Sequence, residues 1–153
     1  MAEPMTKRQA RRIIHDRLRS KYTELDCRVL EKIVALVRVV DYQKSDITGK
    51  RCSSKRGSLA RLMFKTEGHI NRSITNLETD GLLIVHRGVG AKGQDEYSIN
   101  VPALQKLADP IDGLPLYKDF KKQERAEYYE KEKLAIAEAA MWKHEGCNEE
   151  MAF

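Results

Sequence analysis

The sequence predicts a mainly α-helical protein with one small β-hairpin and a long C-terminal helix. Apolar residues repeat at helical spacing through residues 24–42 and again through residues 57–83. Two β-prone runs then flank a stretch at 88–93 that holds three glycines, which is typical of a hairpin. From Leu116 to about Glu145 no proline or glycine interrupts a helix, so the last predicted element is about 45 Å long.

The charge is divided unevenly along the 153 residues. Residues 1–72 hold 18 Lys and Arg against 8 Asp and Glu, a net charge of +10, whereas residues 73–153 hold 10 against 15, a net charge of −5. A basic first half suits a polyanion partner such as a nucleic acid. The alternative interpretation is a soluble domain with a fluctuating charge pattern and no such partner.

No apolar run approaches the roughly 18 residues of a membrane-spanning helix, and the first residues lack the apolar core of a signal peptide. The three cysteines form no Cys-x-x-Cys pair and no plausible disulfide framework. We therefore expect an intracellular, cytoplasmic protein, associated with the nucleoid if it binds DNA, and no membrane partner.

Residue types that support catalysis or metal binding are scattered. The four histidines lie far apart, and His144 with Cys147 supplies two metal ligands where zinc usually takes four. We find no arrangement of a nucleophile with a base. The sequence therefore predicts that the protein is not an enzyme, with no catalytic residue, no metal and no cofactor.

Residues 1–23 are predicted to form a basic N-terminal helix or arm. Seven basic side chains surround a thin apolar seam of Ile13, Ile14 and Leu18. The basic residues are Lys7, Arg8, Arg11, Arg12, Arg17, Arg19 and Lys21. Such a helix could lie along the phosphates of a nucleic acid, or it could be a solvated arm packed by its seam, and the pattern favours neither.

Residues 24–42 carry the strongest amphipathic pattern and are predicted to be the first core helix. The apolar stripe consists of Leu25, Val29, Leu30, Ile33, Val34, Leu36, Val37 and Val40. The polar stretch at 43–56 is rich in turn-forming residues and is predicted to be a loop.

Residues 57–83 are predicted to form two helices that divide at Lys65 and Thr66. The first carries Leu59, Leu62 and Met63, and the second carries Ile70, Ile74 and Leu77 at helical spacing. Thr66 is a good N-cap for the second helix, and Gly81 lies where a left-handed residue ends one. Two short helices joined by a tight turn form a helix-turn-helix unit, whose second helix can enter a DNA major groove. A helical hairpin in an ordinary core is the alternative.

The hairpin is predicted from Leu82–Arg87 and residues 95–100, with Lys92 at its tip. A hairpin directly after a helix-turn-helix unit is a wing. The prolines and glycine of 101–115 indicate a domain boundary that also holds a short helix at 101–108. The predicted organisation is therefore a basic helix or arm at 1–23, a DNA-binding domain at 24–108, a charged helix at 116–145 and a disordered tail at 146–153.

Four stretches carry a resemblance to a known family. They are the apolar helix that begins Arg28-Val-Leu-Glu-Lys-Ile, then Ser58-Leu-Ala-Arg-Leu, then the run His69-Ile-Asn-Arg-Ser-Ile-Thr-Asn-Leu-Glu-Thr-Asp-Gly-Leu-Leu, and last the hairpin with Arg87-Gly-Val-Gly and Tyr97-Ser-Ile-Asn. Residues 27–100 thereby resemble the winged helix-turn-helix domain of phage and plasmid replication-initiation proteins and related phage regulators. The resemblance implies a sequence-specific double-stranded DNA-binding protein that acts in replication initiation or transcription regulation. Since many winged helices bind proteins, a protein-interaction module is the alternative.

The turn departs from the family pattern. Phe64 stands where the family usually has glycine, and Lys65 stands where it has an apolar residue. A non-glycine residue at positive φ costs on the order of 1–2 kcal/mol. We therefore expect the turn to be opened or reshaped, which leaves the docking angle of the second helix open.

The candidate DNA contacts follow from turning Ile70, Ile74 and Leu77 toward the core. The predicted base-reading residues are Gly68, His69, Asn71, Arg72, Thr75 and Asn76. Arg pairs with guanine and Asn with adenine, and Gly68 allows a close approach of the backbone. The predicted contacts to the DNA backbone are Ser58, Arg61, Lys65, Arg87 and Lys92, which position the protein without reading sequence.

The 116–145 helix is predicted to mediate self-association or to bind a protein partner. Eleven of the 16 residues at 118–133 are charged, and an apolar cluster follows from Leu134 to Trp142. Exposed apolar clusters usually mark contacts. We expect a homodimer. The alternative is that the cluster folds back onto its own domain, beside Ile13 and Leu18.

Overall fold

The computed structural model describes the backbone of residues 4–41 and 44–151 and the side chains of residues 4–41 and 44–143. That part of the chain contains six α-helices and one two-stranded antiparallel sheet, which confirms a mainly helical protein with a small hairpin. The chain divides into two compact units, Met1–Tyr117 and Lys118–Phe153. The segment predicted as an N-terminal arm at 1–23 therefore belongs to the same unit as the helices that follow it.

The first helix, α1 (Lys7–Asp16), is packed by its apolar seam and exposed on the side of its arginines. Thr6 caps it, since its hydroxyl accepts from the backbone N–H of Gln9 while the Gln9 side chain accepts from the N–H of Thr6. Ala10 and Ile14 are fully buried against α2, and Leu18 follows them in a 3₁₀ turn. The apolar seam thus joins the core, while the arginines of α1 lie on its other side.

The second helix, α2 (Glu24–Leu36), ends six residues before the predicted boundary at 42. Val37 is extended, and the next N–H, that of Arg38, donates to the Arg51 carbonyl at 3.1 Å. The buried Lys7 ammonium donates to the Ala35 carbonyl at 2.6 Å, which satisfies one acceptor of the last turn. The prediction that Val40 continues the apolar stripe was wrong: its side chain is 100% exposed. The valines at 37, 39 and 40 are β-branched, and they favour the extended backbone.

The third and fourth helices, α3 (Arg56–Met63) and α4 (Glu67–Thr79), divide where the spacing predicts. Phe64 is left-handed at φ 54° and ψ 42°, so the tight turn is kept despite the missing glycine. The Thr66 hydroxyl accepts from the His69 N–H, which confirms the predicted N-cap. Gly81 ends α4 at φ +77°, as predicted.

The hairpin pairs β1 (Leu83–His86) with β2 (Glu96–Ile99), and Val85 lies opposite Tyr97. Cys52 forms an isolated antiparallel bridge with β2. Its N–H donates to the Tyr97 carbonyl at 2.7 Å, and its carbonyl accepts from the Tyr97 N–H at 2.9 Å. The helix α5 (Val101–Leu107) follows at once. The predicted strands and the short helix near 101–108 are therefore present.

In the first unit, one hydrophobic core is formed by the five helices from α1 through α5 together with the hairpin. Its largest fully buried side chains are Ile14, Leu18, Leu30, Ile33, Ile47, Leu59, Ile70, Ile74, Leu77, Leu82, Leu83 and Tyr97. The fully buried core residues end at Leu104, and partly buried Leu107 packs against them.

The second unit is formed by α6 (Tyr117–Met151), which begins at the last residue of the first unit. The helix is 35 residues long and continues past the predicted end at 145, so much of the predicted tail is helical. Residues 152–153 of that tail lie outside the described residues. All side chains at 122–143 are exposed. Among the described helices, none combines the length and the apolar content that crossing a membrane requires.

Candidate nucleic-acid interface

The outer face of α4 carries the predicted base-reading residues. Ile70, Ile74 and Leu77 are buried. The exposed residues of the helix include Gly68, His69, Arg72, Thr75, Asn76 and Thr79. The apolar spacing therefore orients the helix as expected, because residues three or four positions apart share one face of a helix.

Two of these residues are already engaged within α4. The His69 ring nitrogen Nδ1 lies 2.7 Å from the Thr66 hydroxyl, so the N-cap also fixes the imidazole. The Thr75 hydroxyl donates to the Asn71 carbonyl at 2.9 Å. Arg72 and Asn76 are exposed on the same face. The polar groups best placed to meet a ligand are therefore the Arg72 guanidinium and the Asn76 amide.

Gly68, in the first turn of α4, is open on its outer side. A Cβ added there would meet no atom within 4 Å, so packing within the chain does not require a glycine. The absent side chain leaves room for another molecule to approach the backbone.

Asn71 lies apart from the other predicted base-reading residues. It is half-buried, and its Oδ1 accepts from the Arg56 guanidinium at 3.1 Å. The structure thus turns this side chain toward the start of α3.

Arg56 is the centre of a polar cluster that sequence reasoning missed. Its Nε donates to the Tyr97 hydroxyl at 2.9 Å and its Nη2 to an Asp95 oxygen at 3.2 Å, in addition to the bond to Asn71. The other Asp95 oxygen accepts from the Gly88 N–H at 3.1 Å. One side chain therefore ties α3, α4 and both ends of the hairpin loop together. Its partners are 15, 39 and 41 residues away in sequence, so no local pattern could indicate it.

Burial raises the pKa of the Tyr97 hydroxyl, while the bond and the charge of Arg56 act in the opposite direction. Tyr97 therefore stays neutral near pH 7 and accepts from Arg56.

Of the five residues predicted to contact the DNA backbone, four are exposed and one forms an ion pair within the chain. Ser58, Arg61, Lys65 and Lys92 are exposed, and Lys92 lies in the hairpin loop at φ 57°. Arg87 instead makes a two-pronged ion pair with Glu78, with both N–O distances at 2.9 Å. The guanidinium lowers the pKa of Glu78, and the carboxylate raises the pKa of Arg87. Arg87 therefore holds the hairpin to the end of α4.

A shallow open groove of about 390 Å³ lies between the start of α3, the start of α4 and the hairpin loop. Its lining residues are Lys55, Arg56, Gly57, Glu67, Gly93, Gln94, Asp95 and Tyr97. Lys55, at the N-cap of α3, makes no side-chain capping bond, and the first turn of that helix has no acidic residue. The N–H groups there suit an anion, although Glu67 and Asp95 make the groove mixed in charge.

Metal-binding residue types do not converge in the part of the chain whose side chains are described: no three His, Cys, Asp or Glu side chains come together there. His144 and Cys147 lie outside those side chains. Cys27 and Cys52 are buried free cysteines, and burial raises the pKa of Cys27 to about 11, so it stays an unreactive thiol near pH 7.

Comparison with known proteins returned no family model, no curated protein and no solved structure that matches this chain.

Proposed function

We propose that residues 24–108 form a winged helix-turn-helix domain that binds double-stranded DNA in a sequence-specific manner. In this interpretation α3 and α4 are the helix-turn-helix unit, α4 is the recognition helix and the β1–β2 hairpin is the wing. The observation that carries the proposal is the outer face of α4, where exposed Arg72, Asn76 and an open Gly68 lie on a helix anchored by a complete core.

The surrounding charges support the same proposal. Arg61 and Lys65 are exposed beside the turn, and Lys92 is exposed in the wing. Three cations on separate elements would contact phosphates on either side of the groove that α4 enters. Arg56 would act indirectly, because it fixes the wing relative to α4. We place the protein in replication initiation or transcription regulation of a phage or plasmid, on the resemblance of residues 27–100, and we propose no enzymatic activity.

The decisive experiment is a titration of the full chain with duplex DNA at several salt concentrations. If about six phosphates are contacted, log K falls against log salt with a slope near −5. A preferred site is first selected from randomised duplexes. Arg72→Ala then weakens binding to that site by roughly 1–3 kcal/mol and leaves random duplex binding nearly unchanged, since base contacts specify and phosphate contacts do not. Lys92→Ala is the matched control and weakens both about equally. A chain with no duplex affinity at low salt would contradict the proposal.

A protein-interaction module is the second candidate function, and one observation favours it. Phe64 is 93% exposed and Leu62 is 51% exposed, so two exposed apolar residues lie two positions apart at the end of α3. Exposed apolar residues next to one another often mark a protein contact. Arg72→Ala combined with Lys92→Ala separates the candidates, because it removes DNA retention and leaves a protein contact through Leu62 and Phe64 intact.

We also propose that α6 joins two copies of the chain into a homodimer. Leu134, Ile136, Met141 and Trp142 are each 62–73% exposed on this helix. An isolated charged helix is marginal in water, so burial of these side chains in a second copy would stabilise it.

A further inference from the structure

A second basic surface lies on α1 and α2. The first of two grooves there is lined by Arg8, Arg11, Arg12, His15 and Glu31. The second is lined by Arg11, Arg28, Glu31, Lys32, Ala35, Leu62 and Met63. Arg11 and Glu31 line both grooves, so the two form one continuous surface. We call the surface formed by five cations the α1–α2 basic face; these are Arg8, Arg11, Arg12, Arg28 and Lys32.

The helical spacing explains why these cations gather. Arg8, Arg11, Arg12 and His15 are spaced as i, i+3, i+4 and i+7 on α1, which places them on one side of that helix. The opposite side carries Ala10 and Ile14 into the core. Arg28 and Lys32 are four residues apart on α2 and line the second groove together with Arg11.

Cations outnumber carboxylates in the lining of the two grooves, among the residues whose side chains are described. Five permanent cations line the two grooves beside one carboxylate, that of Glu31. The ion pairs of the described residues involve neither Arg8, Arg12, Arg28 nor Lys32. Like charges held this close repel each other, and a polyanion that lies over them relieves the repulsion.

The dimensions suit a phosphodiester backbone. From Arg8 to His15 the helix advances about 10 Å. Phosphates of one strand follow each other at about 3.4 Å along a duplex axis, so the row on α1 spans about three of them. Arg28 and Lys32 extend the basic surface from α1 onto α2. A phosphodiester backbone that crosses from one helix to the other would therefore meet cations on both.

The two grooves of the α1–α2 basic face contain no residue of α4 or of the hairpin, and the second groove reaches Leu62 and Met63 of α3. No residue of its two grooves lines the groove beside the hairpin. Where the start of α2 meets the end of α4, the surface is lined by Asp80 and by the buried Asp26, with Lys21 beside them. This stretch is mixed in charge and does not continue the row of cations.

We infer that the α1–α2 basic face binds the phosphodiester backbone of a nucleic acid independently of α4 and the hairpin, so that one protomer holds two nucleic-acid segments.

The test compares four full-length proteins that differ in two sets of three exposed cations. One set removes the face proposed here: Arg8→Gln, Arg12→Gln and Arg28→Gln. The matched set removes an equal charge from the α4 and hairpin surface: Lys65→Gln, Arg72→Gln and Lys92→Gln. The third protein carries both sets, and the fourth is unchanged. Circular dichroism and thermal melting establish that each protein is folded, which these exposed positions favour.

Binding is measured by fluorescence anisotropy with a short duplex and with a single strand of the same length, at several salt concentrations. We expect the protein without the α4 and hairpin cations to retain salt-dependent binding. In that background, replacing Arg8, Arg12 and Arg28 as well reduces the affinity at least tenfold. It also lowers the magnitude of the slope of log K against log salt on a duplex by about 2.7, because three phosphate contacts are lost. The two probes report whether the backbone is that of a duplex or of a single strand.

Three outcomes overturn the inference. One is loss of all nucleic-acid binding when only Lys65, Arg72 and Lys92 are replaced. Another is unchanged affinity when Arg8, Arg12 and Arg28 are replaced in that background. The last is an anisotropy titration of the unchanged chain that saturates at one nucleic-acid segment per protomer when the duplex and the single strand are supplied together. Failure of the proposed function looks different: the α4 and hairpin substitutions then change nothing, while the α1-side substitutions remove all binding.

Discussion

Phe64 combines two unfavourable features. Its backbone is left-handed, and its ring is 93% exposed, so the side chain gains almost nothing from packing in this chain. The sequence singles out this residue, because glycine is usual at such a turn. Phe64 nonetheless adopts the left-handed backbone that favours glycine. The core contacts of Leu59, Met63 and Ile70 on both sides hold Phe64 in the strained conformation.

Replacement of Phe64 by glycine should therefore stabilise the protein. Phe64→Gly removes the left-handed penalty, and we expect the free energy of unfolding to rise by about 1 kcal/mol, measured by urea denaturation. Phe64→Ala is the matched control: it keeps the penalty, removes the exposed ring and leaves stability nearly unchanged. A destabilised glycine variant would show that the ring makes a contact that matters in solution.

Arg56 contributes to stability through geometry that lysine cannot reproduce. Its three nitrogens reach Tyr97, Asn71 and Asp95 at 2.9–3.2 Å in three directions. A lysine ammonium keeps the charge but cannot span these partners. We expect Arg56→Lys to lower the free energy of unfolding by roughly 1–3 kcal/mol in a thermal or urea melt, because buried Tyr97 loses a donor. Arg61→Lys, at an exposed position on the same helix, serves as the control and changes stability little.

At the scale of elements, apolar spacing predicts the boundary of a helix well where burial in the core sets it. It predicts the boundary poorly where contacts with a loop set it. The division of α3 from α4 follows from Thr66 and from the two apolar stripes. The end of α2 does not, because it depends on the bond from Arg38 to Arg51 and on Lys7 reaching the Ala35 carbonyl. Such bonds join residues 13 and 28 positions apart, which periodicity cannot reveal.

The loop after α2 is attached to the N-terminal segment through Asp46. One of its oxygens accepts from the Thr48 hydroxyl, the Thr48 N–H and the Met5 N–H at 2.6, 2.9 and 3.1 Å. The Ile47 N–H in turn donates to the Met5 carbonyl at 2.9 Å. The Thr48 hydroxyl, followed by the two backbone donors, lowers the pKa of Asp46 below its ordinary value of 3.8.

Stability linked to Asp46 should depend on pH in a defined direction. Because the folded pKa is lowered, the stabilisation is present above pH 3.8 and is lost as the pH falls through the folded pKa. We expect Asp46→Asn to lower the melting temperature at neutral pH and to approach the unchanged protein below that value. Melting curves across this range test it, with Asp112→Asn at an exposed position as the control. A difference in melting temperature that stays constant with pH would contradict the role of the carboxylate.

At the scale of the whole molecule, the sequence predicts a boundary before the long helix and misses what closes the first unit. The Arg17 guanidinium donates to the Leu114 carbonyl at 2.8 Å, and the Arg19 guanidinium lies 4.0 Å from the centre of the Tyr117 ring. The Leu114 N–H also donates to the Leu107 carbonyl. These contacts extend the first unit to Tyr117. The prolines and glycine of 101–115, taken alone, predict that the domain ends at 108.

The proposed homodimer depends on α6 and can be tested by shortening the chain after Tyr117, which keeps the contacts of Arg17 and Arg19. We expect the full chain to sediment as a dimer at tens of micromolar and the shortened chain as a folded monomer, since its core is complete. Leu134→Glu with Trp142→Glu in the full chain is the matched variant. It should also be monomeric, because both side chains are exposed on α6 and their burial would drive association. A monomeric full chain would exclude the dimer. If the shortened chain unfolded instead, the apolar cluster would be needed by its own protomer, as the fold-back alternative requires.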